Sequence, residues 1–209
     1  MQDYFSALEL DALKEVGTVG AGNAATVLAS MLGQRVPMTV PEARLLPIAL
    51  VPEVVGGAES EVVGVCLNVE GAAPAAILFL LPRPDGEALV RRLLGAMAPE
   101  RIEFNDLERS ALGEVTNILS GAYLQALSEF TGLSFVPSPP AFAHDMAGAL
   151  LDNVFAEIGR VGDYALLIET EFMTGDQGVR GHFFLVPDPD GLTTILQALG
   201  VREWRPQDC

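Results

Sequence analysis

Positive charge is scarce in this chain. Twelve Lys and Arg stand against 28 Asp and Glu over 209 residues, a net charge of −16, and Lys14 is the only lysine. Such a surface repels nucleic-acid phosphates and anionic lipid at long range, which sets both aside as partners. Cysteine is nearly missing as well. Cys66, in an apolar run, and Cys209 form no C-x-x-C pair and no disulfide framework, so a reducing cytoplasm is the expected compartment. The apolar run ending at Leu81 is interrupted by Pro74, and nothing is expected to span a membrane. Met1-Gln2-Asp3-Tyr4 has neither the basic nor the apolar region of a secretory signal. The two histidines, His144 and His182, lack ligand spacing to either cysteine and read as surface or loop residues, with no metal site of the chain's own. What remains is half hydrophobic, ample for a core of ordinary size.

The chain does carry a repeat. Ser110, Glu114, Asn117 and Pro140 recur as Asp11, Glu15, Thr18 and Pro41 at a constant offset of 99 residues, and ten of 34 aligned positions between 8–41 and 107–140 are identical. Each copy opens on a long helix. Ser6 with Glu9, and Asn105 with Glu108, have capping-box spacing; Leu13, Val16 and Val27, and Leu112, Val115, Leu119, Ala122 and Ala126, follow on one face up to Gly33 and Gly132. Behind the first helix come a strand near Val36 to Val40, a short helical or irregular piece from Pro47 to Gly57, and strands near Glu61 to Val69 and Ala75 to Leu81. The second copy repeats this order with a longer middle helix near Asp145 to Gly159 and strands near Tyr164 to Phe172 and Arg180 to Val186. Both copies close on a helix behind a proline-rich start, ending at Leu94-Gly95 and Leu199-Gly200. The offset has grown to 105 by Pro187, which places the additional residues in the middle helix.

A helix first and strands afterwards predict an α+β fold: a pseudo-two-fold internal duplication with a largely antiparallel sheet flanked by the long motif-bearing helices. The expected organisation is a single domain, 1–209, of two repeats, about 1–100 and 101–209.

Steps of four and seven bring Ser110, Glu114 and Asn117 within an arc of about 60 degrees on their helix, and Asp11, Glu15 and Thr18 likewise. An isolated E-x-x-N is ordinarily just the polar face of an amphipathic helix. The full pattern of Ser or Asp, Glu, Asn and Pro arises by chance in a chain of this length only on the order of a few times per thousand, and its skeleton occurs here twice. Gly22 and Gly121, one turn on, would let another surface approach closely. Gly20-Ala21-Gly22-Asn23-Ala24-Ala25 fits a loose dinucleotide fingerprint, but it follows a capped helical pattern instead of a strand and reads as helix packing. No G-x-S-x-G elbow is present, and an acidic surface explains the many carboxylates better than paired glycosidase acids.

In these residues the chain resembles the CheC, CheX and FliY family of phosphatases that dephosphorylate the chemotaxis response regulator CheY. Leu13 to Thr26 looks like the first CheC helix and Asn105 to Gly121 like the second; two motif copies in about 200 residues resemble CheC most. The resemblance implies that Glu114 docks on the regulator's active-site lysine and that Asn117 orients the attacking water on an aspartyl phosphate. It implies no cofactor of the chain's own, the Mg²⁺ being supplied by the response regulator. Partners would be phosphorylated CheY and the deamidase CheD, with the chain a monomer. Thr18 departs from the pattern, which normally has Asn there, so Glu15/Thr18 is expected to be a degraded second site. Ser110 and Asp11 would support the neighbouring glutamates by hydrogen bonding; Pro140 and Pro41 would bend or end the strand after each motif helix. The alternative is a mainly non-catalytic module that binds CheY or CheD.

Overall fold

The computed structural model describes residues 6–33, 38–39, 43–158, 164–174, 177–188 and 190–201. Pro41, the ends of the predicted strand at Val36 and Val40, the predicted helix end at Gly159, and Cys209 lie outside the described residues.

Two 26-residue helices, α1 (Ala7–Leu32) and α4 (Asp106–Thr131), start where their capping boxes predict. The Ser6 hydroxyl accepts the Glu9 N–H at 3.2 Å, and the Glu9 carboxylate accepts the Ser6 N–H at 2.6 Å. At α4, Asn105 Oδ1 accepts from the N–H groups of Leu107 and Glu108, and the buried Glu108 carboxylate accepts the N–H groups of Asn105 and Glu103 at 2.9 and 3.1 Å. Each cap satisfies donors that the first helical turn leaves orphaned. Both helices end on a left-handed glycine, Gly33 at φ 63° and Gly132 at φ 71°, a conformation that costs a side-chain-bearing residue dearly.

The remaining elements are β1 (Met38–Thr39), β2 (Ala43–Pro47), α2 (Val51–Val54), β3 (Glu61–Gly71), β4 (Ala75–Pro82), α3 (Arg83–Leu94), β5 (Phe135–Pro137), β6 (Ala141–Met146), α5 (Ala147–Ile158), β7 (Tyr164–Thr174), β8 (Gln177–Pro187) and α6 (Gly191–Ala198). The strands form one eight-stranded sheet in the order β1-β7-β8-β4-β3-β5, with β2 also on β7 and β6 also on β3. Every pairing is antiparallel. The first half's short strands therefore pair with the second half's β7, and the second half's short strands with the first half's β3. The fold is α+β, as the order of elements predicts.

Two strands differ from expectation. β2 was not anticipated, because Arg44 and the proline at 47 break its apolar character. Asp145, predicted to open the middle helix, lies within β6 instead: Asp145 and His144 pair with Val62 and Val63, and the Asp145 carboxylate accepts the Met146 N–H at 2.8 Å. The longer middle helix is real, 12 residues in α5 against four in α2.

Both sheet faces carry helices and a core. Side chains alternate along each strand: Ile77, Phe79 and Leu81 of β4 join Phe183 and Leu185 of β8 beneath α1, α3, α4 and α6. Leu78 and Leu80 join Phe184 and Leu167 on the opposite face, beneath α2 and α5. This double burial explains the unbroken apolar run from Ala75 to Leu81, each large side chain contributing about 2 kcal/mol. Among the described residues no helix is long and apolar enough to cross a membrane.

Candidate active site

α1 and α4 lie side by side on the sheet and touch at Gly20. A Cβ there would stand 2.3 Å from Tyr123 Cδ1 and 3.0 Å from the Tyr123 Cα, so only glycine permits this approach. Gly20 is about 180 degrees around α1 from Asp11, and Tyr123 is about 140 degrees around α4 from Ser110 in the shorter direction. Each helix meets the other through the side away from its polar strip. The strips thus face outward and do not merge into one site.

On α4, Ser110, Glu114 and Asn117 are all exposed, while Leu112, Val115 and Leu119 on the reverse face are fully buried. The burial anchors the helix and leaves the strip open. Among the described residues neither the Glu114 carboxylate, the Asn117 carboxamide nor the Ser110 hydroxyl has a hydrogen-bond partner. The expected support of Glu114 by Ser110 is therefore not seen. Pro140 sits in the break between β5 and β6, where a methyl group at Gly113 would lie 3.7 Å from its Cγ. Its ring packs beside α4 next to Glu114. The start of α4 is held by Arg109, whose Nε donates to the Phe104 carbonyl and whose guanidinium lies 5.2 Å over the Phe142 ring.

On α1, Asp11, Glu15 and Thr18 occupy the same arc and are also exposed. The chemistry differs at the last position. The Thr18 hydroxyl donates to the Lys14 carbonyl at 2.9 Å, so its proton is spent on its own helix. Asp11 and Glu15, both acids, have no hydrogen bond to one another. Gly22 and Gly121 are exposed, with nothing within 4 Å of a Cβ placed on either. Both leave open space beside their strips.

The histidines correct the sequence reading, since neither is a loop residue. His144 lies on β6, its Nε2 2.9 Å from Glu61 Oε1. His182 lies on β8 and is only 5% exposed; burial first, then Arg180 and Arg44, push its pKa down to about 4. It lines a polar cleft on the sheet face opposite α1 and α4 that sequence reasoning missed. The signal was present: in a strand buried on both faces, Arg180 and His182 at a spacing of two mark a stretch where one face is not sealed.

An antiparallel sheet carrying two adjacent helices, each with an outward acid and polar strip, defines a class of α+β proteins to which known chains can be compared. The CheC-like family model matches residues 8–43 and 107–144, the two strips with their prolines. The CheY-P phosphatase CheC of Bacillus subtilis (strain 168) is 34% identical over 92% of this chain and 94% of its own. The putative CheY-P phosphatase CheC1 of Halobacterium salinarum is 21% identical over 95% and 100%. The crystal structure of Thermotoga maritima FliY superposes with a TM-score of 0.72 at 22% identity, covering 94% of this chain and 98% of that one. The chain belongs to the CheC-like family.

Proposed function

We propose that this protein is a phosphatase that hydrolyses the aspartyl phosphate of the response regulator CheY, with Glu114 and Asn117 as the catalytic pair. The observation that carries the reading is the exposed, unpartnered Glu114/Asn117 strip on a helix whose reverse face is locked in the core. Likeness along nearly the whole chain to a CheY-P phosphatase supports the substrate.

Hydrolysis of an acyl phosphate needs a water in line with the scissile P–O bond and cations over the phosphoryl oxygens. A carboxamide has both a donor and an acceptor, so Asn117 orients the water while touching the phosphoryl group. Glu114 is repelled by that group and instead receives the regulator's lysine, which sets the register of docking. Mg²⁺ comes with the regulator, and the chain contributes no ligand to it. The acidic surface gives no long-range attraction to an acidic partner, so contacts are local. Glu15/Thr18 is a degraded second site: its hydroxyl is shorter than a carboxamide and already bonded to Lys14. On this reading the chain works in the cytoplasm as a monomeric single domain and also binds CheD.

The test is phosphate release from phosphorylated CheY with Mg²⁺ present, with and without CheD. Acceleration by the wild-type chain in either condition is expected. No acceleration in both, alongside tight CheD binding, would assign the chain as a regulatory binding module instead.

A further inference from the structure

The outward arc of α4 continues past its polar strip in both directions. With Ser110 as the origin, Leu107 stands about 60 degrees around the helix, Glu114 about 40 degrees and Gly121 about 20 degrees, with Asn117 about 20 degrees on the other side. At about 1.5 Å per residue, Leu107 and Gly121 each lie about 10 Å from Glu114 along the axis, at opposite ends of the strip. Leu107 is the one large apolar side chain of α4 in this arc, and it is 55% exposed.

A single exposed leucine is ordinary on a protein surface. Three observations set this one apart. It recurs: α1 carries Leu8 in the same place, one turn before Asp11, and that leucine is exposed too, at 67%. It is held: the Leu107 N–H donates to Asn105 Oδ1 at 3.0 Å, and the next residue, Glu108, is fully buried with its carboxylate on the N–H groups of Asn105 and Glu103. The turn that presents Leu107 is therefore fixed before a partner arrives, and no ordering cost falls on binding. It is also within reach. A partner whose lysine meets Glu114 through an interface of standard size covers about 800 Å² of this chain, a patch extending roughly 16 Å from its centre. Leu107 falls inside that patch.

The strip itself holds one acid and uncharged polar groups, whose bonds to a partner replace bonds to water and add little net affinity. Apolar burial is the contribution left to hold the complex. Resting on the reading that this strip meets CheY, we infer that Leu107 is the apolar anchor of that docking, packing on an apolar side chain of the regulator about 10 Å from the lysine that Glu114 receives. Gly121, exposed and with nothing within 4 Å of a Cβ placed on it, admits the regulator closely at the other end. Leu107 is too far from Asn117 to touch the phosphoryl group, so its effect falls on binding and not on the chemical step.

The test measures phosphate release by the full chain over a range of phosphorylated CheY concentrations. Affinity is measured separately for CheY carrying Mg²⁺ and beryllofluoride, an inert mimic of the phosphoryl group, and both measurements are made with and without CheD. Leu107→Ala is expected to raise KM and Kd about fivefold at unchanged kcat, and Leu107→Met to stay within about twofold of the wild type. Leu8→Ala makes the same truncation in the capped first turn of α1 and is expected to change neither constant. Unchanged KM and Kd in Leu107→Ala, a fall in kcat alone, or equal weakening in Leu8→Ala would each overturn the inference. The phosphatase reading fails separately: if the wild type releases no phosphate while Kd still depends on Leu107, the docking face stands and the catalytic role falls. If the wild type neither releases phosphate nor binds, both fall.

Discussion

Asn117 and Thr18 occupy equivalent places on two similar helices, and the difference between them is one functional group. A carboxamide reaches outward with a donor and an acceptor; the Thr18 hydroxyl turns back to the Lys14 carbonyl. If that difference silences the first strip, Thr18→Asn in an Asn117→Ala background is expected to recover phosphate release at least about tenfold over Asn117→Ala alone, since displacement of a positioning group by roughly 1 Å can cost about a hundredfold. Recovery would be read in the same release assay. His182 supports a second expectation. It takes a proton near pH 6.5 when unfolded and only near pH 4 in the fold, so between those values the unfolded state binds more protons and stability falls as pH drops. The loss is about 3 kcal/mol at most. Denaturant melts from pH 7 to 4 should therefore fall less steeply for His182→Gln than for the wild type. That Ser110, Glu114 and Asn117 share one exposed helix face was legible in the sequence, because helical spacing turns three letters into one face. His182 was not, because its burial depends on β4 and β7, strands distant in sequence or reached only through pairing.

At the scale of elements, the helices were the most legible part. Capping boxes at Ser6 and Asn105 and left-handed glycines at Gly33 and Gly132 are local chemistry, readable within a few residues. The short strands were less so: β2 and β6 are extended because β7 and β3 offer them edges, and no local pattern around Arg44 or Asp145 announces that. The glycine-rich stretch of α1 divides in two by function. Gly20 admits Tyr123, whose ring and backbone a methyl group would meet, so Gly20→Ala is expected to cost about 1 to 3 kcal/mol in equilibrium unfolding. Gly22 faces open space, and Gly22→Ala should leave stability unchanged or raise it by about 0.5 kcal/mol through helix propensity. A loss of activity in Gly22→Ala without loss of stability would mark close approach of a partner there.

Across the whole molecule, exchange of edge strands between the halves ties them together: β1 and β2 complete β7, while β5 and β6 complete β3. One sheet with a core on each face is expected to unfold in a single transition, with calorimetric and van't Hoff enthalpies equal, and residues 1–100 alone are expected not to fold. The same architecture sets both strips on rigid helices and turns them away from one another, so the two do not share one surface. The central claim is that only one of them is catalytic. Its most direct test compares Asn117→Ala with Thr18→Ala for release of phosphate from phosphorylated CheY by the full chain. The account expects Asn117→Ala to lose about a hundredfold and Thr18→Ala less than about twofold; equal losses in the two variants would contradict it.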